Sequence, residues 1–354
     1  MTTETQAYSY RRLEAAPATP VSDGTFNLGC FNTPFERVNM LDAQVGGIPL
    51  HAARWWKLRE WQAFQIANQH YFVMVALYNA KRFGLVQFIL HDRTTGEILR
   101  YEKQVSPFSI TLPNNLWDGY AAYKSKHFTL TVHNCLREGK ITIDVNIDNH
   151  FKLPALNGQF VALHDPKQVT PNVVCLPFSS NTAMYSHKCL MPVNGQIYMN
   201  GKVIYFSAHH SGMIIDDHKG YYPSPTRYDW ATAIGYDRQN NFIGFNLTHN
   251  QVLNPDIYNE NGLWYNHTLH TLPTVVFDRR PDDTWHITDT QQAGIVDLWF
   301  TPTIHTRFDK KILMIESRYH APYGYFDGHI MSNNGKKIVI SRLFGMGEDF
   351  YLKV

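Results

Sequence analysis

From Ile141 to Asp148 the chain alternates strictly. Ile141, Ile143, Val145 and Ile147 are apolar, and Thr142, Asp144, Asn146 and Asp148 are polar. A period of two buries one face of a strand and wets the other. Phe128–His133, Met213–Asp216 and Phe242–Leu247 also read as strands. Between such runs lie turn signals. Asn-Gly pairs begin at Asn157, Asn194, Asn200, Asn261 and Asn334, and Asp-Gly pairs at Asp23, Asp118 and Asp327. These pairs supply the positive φ angles that tight primed hairpin turns require. Two hairpins follow directly. Gln196–Met199 faces Lys202–Ser207 across Asn200-Gly201, and Tyr325–Met331 faces Lys337–Leu343 across Asn333-Asn334-Gly335. Helical patterns are few. Ala52–Ile66 fits an amphipathic helix by composition, and together with Tyr71–Tyr78 it fits equally well two strands joined by Ala67–His70. Many short strands with frequent turns predict an all-β chain of sandwich or barrel type.

A length of 354 residues suits two domains. Prolines 166, 171 and 177 disfavour central strands, so a boundary is expected within Leu163–Pro177. The expected division is a flexible segment 1–20, a first β domain 21–175 and a second 176–354. Charged residues are 18% of the chain, below the usual quarter. Aromatics fill the difference, with 21 Phe, 20 Tyr and 8 Trp. Such residues pack well on pleated surfaces and line pockets for apolar ligands. A net charge of +2 without a basic run speaks against nucleic acid as a partner. The four cysteines form no Cys-x-x-Cys pair and read as reduced core thiols. Met1–Pro20 has no apolar core of signal-peptide type, and the longest apolar run, Tyr71–Tyr78, is too short to span a bilayer. The expectation is a cytoplasmic chain with no integral membrane segment, its protein partners unspecified.

The densest chemistry runs from His209 to Trp230. A buried strand, Met213–Ile215, delivers Asp216, Asp217, His218 and Lys219 toward Gly220. Tyr221, Tyr222, Arg227, Asp229 and Trp230 follow. A second group holds Asn246, His249, Asn250, Asn259, Glu260 and Asn261. Carboxylate, imidazole and guanidinium at a strand end suit proton transfer, provided one group has a raised pKa and another stays charged. The candidate catalytic residues are Asp216, Asp217, His210 and Glu260. The candidate ligand-binding residues are Lys219, Tyr221, Tyr222, Arg227, Trp230, Asn246 and Asn261. The plainer reading is that the adjacent aspartates cap local backbone and that Arg227 forms a structural ion pair with Asp216 or Asp229. No metal or other cofactor is expected. His210, Asp216 and His218 share strand parity, but Ser211-Gly212 interrupts them, and His267-x-x-His270 is a loose pair. Trp55, Trp56 and Trp61 suit a barrel core more than a stacking platform.

Several segments resemble one family. They are Tyr185 through Gly195, Asp216 through Pro223, Arg227 through Ala233, Gly244-Phe-Asn-Leu-Thr, Asn259-Glu-Asn, Val296 through Pro302, and Tyr323 through Glu348. The chain is similar to the bacterial domain-of-unknown-function family numbered twenty-eight hundred and four over roughly residues 25–352. That family is similar in outline to the carotenoid hydratase, tocopherol cyclase and AttH-like proteins. The resemblance implies two consecutive lipocalin-like antiparallel barrels and a hydrophobic, lipid or isoprenoid-like ligand. It names no reaction. Two functions are therefore expected in competition. One is binding of a hydrophobic small molecule in a barrel pocket. The other is an enzyme (hydratase, isomerase or cyclase) using Asp216 or Asp217 as an acid, His209 or His210 as its partner, and Tyr221, Tyr222 and Trp230 to face a developing cation.

Overall fold

The computed structural model describes residues 11–48, 50–148, 153–312 and 315–353. The chain divides into two compact units. One is Ala15–Tyr222, and the other is Pro223–Val354 with the first fourteen residues. Leu163–Pro177 therefore falls inside the first unit. Pro177 there precedes a shift in the register of a strand pair. Of the expected flexible segment 1–20, residues 1–10 lie outside the described residues. Arg11 donates to the carbonyl oxygens of Asn259 and Asn261, the latter at 2.7 Å.

In the first unit the main elements are β1 (Gly29–Phe31), α1 (His51–Lys57), β2 (Arg59–Ala67), β3 (Tyr71–Asn79), β4 (Gly84–Asp92), β5 (Ile98–Val105), β6 (Gly119–Lys124) and β7 (Phe128–Cys135). They continue with β8 (Lys140–Ile147), β9 (Leu156–Leu163), β10 (Asn172–Ser179), β11 (Thr182–Met199), β12 (Lys202–Phe206) and β13 (Gly212–Gly220). The sheet order is β5-β4-β3-β2-β13-β11-β9-β8-β7-β6, all antiparallel, with β10 and β12 also on β11 and β1 on β10. The sheet curls so that strands from both ends feed one core. Phe88 and Tyr101 share a cluster with Leu130, Ile143 and Phe160. Burying each such side chain contributes about 1.5–3 kcal/mol. Apolar side chains from both ends of the sheet thus pack together in its interior.

The second unit holds β14 (Thr226–Tyr236), β15 (Phe242–Asn250), β16 (Gly262–Tyr265), β17 (Thr268–Thr271), β18 (Val275–Arg279) and β19 (Trp285–Asp289). After these come β20 (Val296–Ile304), β21 (Arg307–Ile312), β22 (Ile315–His320), β23 (Tyr323–Met331) and β24 (Lys337–Lys353). Its antiparallel order is β17-β16-β15-β14-β24-β23-β20-β19-β18, with β22 joining β21 to β24. Leu263 and Leu272 from one end meet Val275 and Trp285 from the other in a single core. The chain is therefore all-β, with two consecutive curled antiparallel barrels and few short helices.

Several turn expectations hold. Asn200 and Gly201 have φ of 52° and 72° between β11 and β12, and Asp23-Gly24 closes a small hairpin with φ of 50° and 79°. Others do not. Asn157-Gly158 and Asn194-Gly195 lie within β9 and β11, paired to each other. There a missing Cβ lets backbones approach, since a Cβ on Gly195 would sit 2.5 Å from the Phe160 ring. Asp327-Gly328 marks a register shift inside β23, where an extra residue bends the strand. Ala52–Ile66 divides between the two expectations, with α1 taking its first part and β2 the rest.

Candidate functional site

Strand β13 lies between β11 and β2, and its side chains form two rows. Met213 and Ile215 belong to the barrel core, so Asp217 and Lys219 continue the core-facing row. Asp216 and His218 point from the opposite face. The register sets their neighbours. Lys188 and Ala63 flank Asp216, Ser186 and Trp61 flank His218, His187 and Gln62 flank Asp217, and Tyr185 and Glu60 flank Lys219.

On the outer face the Asp216 carboxylate collects donors. Lys188 Nζ bonds its Oδ1, His218 Nε2 lies 2.9 Å from the same oxygen, and Trp61 Nε1 donates to Oδ2 at 3.3 Å. Asp216 is 9% exposed, His218 4% and Lys188 2%. Burial alone would raise the Asp216 pKa, but Lys188 and then His218 more than offset it and hold the carboxyl well below the ordinary range. The indole of Trp61 stacks on the His218 ring, with centroids 4.3 Å apart and planes at 12°, and also stacks on Tyr222 at 5.5 Å. His218 Nδ1 lies 3.1 Å from the half-buried Tyr222 hydroxyl. The imidazole therefore bridges a buried carboxylate and an accessible phenol. Lys188 Nζ is also 3.0 Å from His218 Nε2. With Lys188 donating, Nε2 accepts and Nδ1–H faces Tyr222. With Nε2–H turned to Asp216, Nδ1 accepts from Tyr222. The two tautomers differ by moving a proton across the ring. On the same face, the Ser186 hydroxyl and both polar atoms of the Gln65 side chain are buried without hydrogen-bond partners.

The core-facing row is different. Gln62 donates to Asp217 Oδ1 at 3.2 Å and exchanges two further 3.2 Å bonds with Asn134. Burial raises the Asp217 pKa to about 6, against the pull of Lys219 and a hydrogen bond with Tyr185. Burial, followed by the charge of Asp217, pushes the Tyr185 phenol well above its usual value. Burial likewise drives His187 down to about 3, which keeps it neutral. Two adjacent carboxyls thus have opposite shifts. Of the two carboxyls expected as an acid, Asp216 has donors that favour its anion, whereas Asp217, which faces the core, keeps its proton to a higher pH than an ordinary carboxyl.

The remaining candidates separate. His210 sits exposed in the turn before β13 and donates its backbone N–H to Ser207 O at 2.8 Å, so it does not join Asp216. Tyr221 packs in a small apolar cluster and donates to Met40 O at 3.2 Å, a core role. In the second unit Trp230 Nε1 donates to Asn246 Oδ1 at 2.6 Å, and Asn246 Nδ2 to the Glu260 carbonyl at 3.0 Å. Asn261 takes the Thr248 N–H at 2.6 Å and donates to Pro273 O at 2.8 Å. The Asn246 and Asn261 side chains thus satisfy buried backbone groups, a structural use. Arg227 is exposed, with its guanidinium 5.0 Å from the Tyr351 ring. Its neighbour Asp229 pairs at 2.5 Å with Arg279, which stands 4.7 Å over Trp285. These groups line an open cleft of about 700 Å³ in that unit. Among the described residues no group of three or more His, Cys, Asp or Glu is placed to hold a metal ion, and no helix is long and apolar enough to cross a membrane.

Lys188, Trp61 and Tyr185 were missing from the sequence-derived site, or were assigned to the core. Their signal is register. A strand ending in Asp-Asp-His-Lys beside one reading Tyr-Ser-His-Lys brings lysine to aspartate once the pairing is known.

These features define a class: an all-β chain of two barrels, the first with a buried acid–base cluster beside an aromatic shelf. The chain belongs to the family described as a domain of unknown function (DUF2804), whose profile matches residues 18–353. It is similar to kievitone hydratase from Nectria haematococca (TM-score 0.48, 11% identity, 83% of this chain and 88% of that one). It is also similar to a putative AttH from Nitrosomonas europaea (TM-score 0.46, 11% identity, 83% of this chain and 92% of that one). Among curated proteins, none matches the sequence.

Proposed function

We propose that the first unit binds an unsaturated hydrophobic small molecule against the Trp61–Tyr222 shelf and moves a proton to or from it through His218. One observation carries this reading. The His218 ring joins buried Asp216 at 2.9 Å to the half-buried Tyr222 hydroxyl at 3.1 Å. In this scheme Tyr222 is the group that meets the ligand. His218 exchanges its proton, and ionised Asp216 orients the ring and stabilises its charged form. The faces of Trp61 and Tyr222 stabilise positive charge developing on a carbon skeleton. Hydration and isomerisation of a double bond both begin with such a transfer.

A binding role without chemistry is favoured by a different observation. Lys188, His218 and Trp61 together occupy both oxygens of Asp216, and a carboxylate so fully engaged is a weak base. One experiment separates the two readings. The full chain is incubated with geraniol in deuterium oxide, and the recovered alcohol and its hydrated products are read by mass spectrometry. Proton transfer predicts deuterium on carbon, lost in H218Q and much reduced in Y222F. A native mass spectrum showing geraniol bound, with no deuterium incorporated, would leave the binding role and remove the enzyme.

A further inference from the structure

The core-facing row of β13 ends in a second polar cluster. Lys219 Nζ lies 3.0 Å from Glu60 Oε2 and 3.2 Å from Asn114 Oδ1. Lys81 Nζ bonds Glu60 Oε1 and stands 5.0 Å from the centre of the Trp55 ring. Lys81 and Lys219 are each 3% exposed and Glu60 8%. The three groups carry two positive charges and one negative. They lie along a cleft of about 320 Å³, near the small end of ligand-pocket sizes. Met40, Trp55, Leu58 and Leu112 give it an apolar wall. Arg37 and Asp42, also lining it, pair with each other at 3.2 Å. Asp217, the next group in the row, is the remaining negative charge. Burial raises it to about 6, so it gives up that charge more readily than an ordinary carboxyl.

We propose that this cleft binds a carboxylate-headed amphiphile, the head on Lys81 and Lys219 and the chain along Trp55, Leu58 and Leu112. An anion there accepts charge-assisted hydrogen bonds from the two buried lysines, which share the single Glu60 carboxylate. Beyond the cleft the apolar surface continues. Leu50 is 69% exposed, Trp56 50% and Phe108 75%, and Phe108 stacks on Trp55 at 5.6 Å and 10°. Longer chains have a path there. The site is on the face of β13 opposite the His218 relay, and it stands without that reading.

Titration calorimetry of the full chain with octanoate and with 1-octanol tests it. Octanoate binds, and 1-octanol binds about tenfold more weakly or less, a difference of about 1.4 kcal/mol. Lys219→Met weakens octanoate by about tenfold and leaves 1-octanol unchanged. Glu60→Gln keeps both lysines and binds octanoate at least as tightly as the parent chain. Three results overturn the proposal: no octanoate binding by the parent chain, equal affinity for the two probes, or a Lys219→Met chain with a native melting curve and unchanged octanoate affinity. If Lys219→Met does not fold, Glu60→Gln decides, and loss of octanoate binding there also overturns it.

Discussion

Replacing Asp217 by asparagine isolates the energy of one buried carboxyl. Asparagine keeps the shape, and its Oδ1 still accepts from Gln62. What it removes is the ionised form. Burial lifts the Asp217 pKa from 3.8 to about 6 despite Lys219 and Tyr185. A difference of about two units at about 1.4 kcal/mol each gives about 3 kcal/mol. The sign follows from proton counting. Between the unfolded and folded pKa values the folded chain holds more protons than the unfolded one. Stability from this group is therefore fully present below about pH 4 and is lost as pH rises through about 6. The asparagine chain has no such loss. At pH 8 it should be more stable than the parent by up to about 3 kcal/mol, and the gain should shrink to nearly nothing at pH 4. Urea unfolding at pH 4, 5, 6 and 8 gives the difference. Because the chain has two units, hydrogen exchange of peptides from β2 and β13 supplies a reading for the first unit alone. An Asp217→Asn chain that is equally destabilised at every pH would refute the reasoning, because Asp217 would then be a paired anion.

Lys188→Met leaves Asp216 buried without its main partner and should cost about 3–5 kcal/mol; Lys188→Met with Asp216→Asn should recover most of it, and thermal melting of the single and double variants measures the coupling. Gln65→Leu removes two unpartnered buried polar atoms and should raise stability by about 1–3 kcal/mol in urea, a gain that disappears if a bound molecule uses the amide. Gly195→Ala should lower the melting temperature, because the new Cβ meets Phe160 at 2.5 Å and Gln159 O at 2.7 Å. Gly347→Ala, which meets the Trp285 ring at 2.5 Å, should likewise melt earlier and serves as the matching test in the second unit.

The period-two pattern made the barrels legible, since alternation such as Ile141–Asp148 fixes both strand and buried face. Asn200-Gly201 was legible as a turn because only its neighbours could pair across it. Asn157-Gly158 carries the same dipeptide yet lies in mid-strand, because long-range pairing of β9 with β11 outweighs local turn preference. The Asp216–Lys219 segment announced itself by composition. Its division into two rows was also readable from parity, but what each row meets was not. Lys188 is 28 residues from Asp216, and Glu60 lies far earlier in the chain. Asn246 and Asn261 looked chemical for a related reason: polar side chains that satisfy buried backbone groups have the same composition as a site.

Register offers a structural account of β13 that competes with the functional one. Slipping the strand by one residue would send Asp216 and His218 to the core face and Asp217 and Lys219 to the other. Lys188 would then face a residue of the wrong row, and so would Glu60. Two ionic groups on opposite faces therefore pin the pairing of β13 with both neighbours, and buried charges can serve that end at a cost in stability. That account needs only complementary charges. It does not need an imidazole stacked at 4.3 Å on an indole and joined to a phenol. Nor does it explain why Ser186 and Gln65 stay unpartnered on that face. Register pinning accounts for Glu60 with Lys219, but Lys81 lies outside β13 and its neighbours and adds a second positive charge to the one carboxylate. For the face of Asp216 and His218 it is insufficient, because it leaves the buried Ser186 and Gln65 groups without a partner.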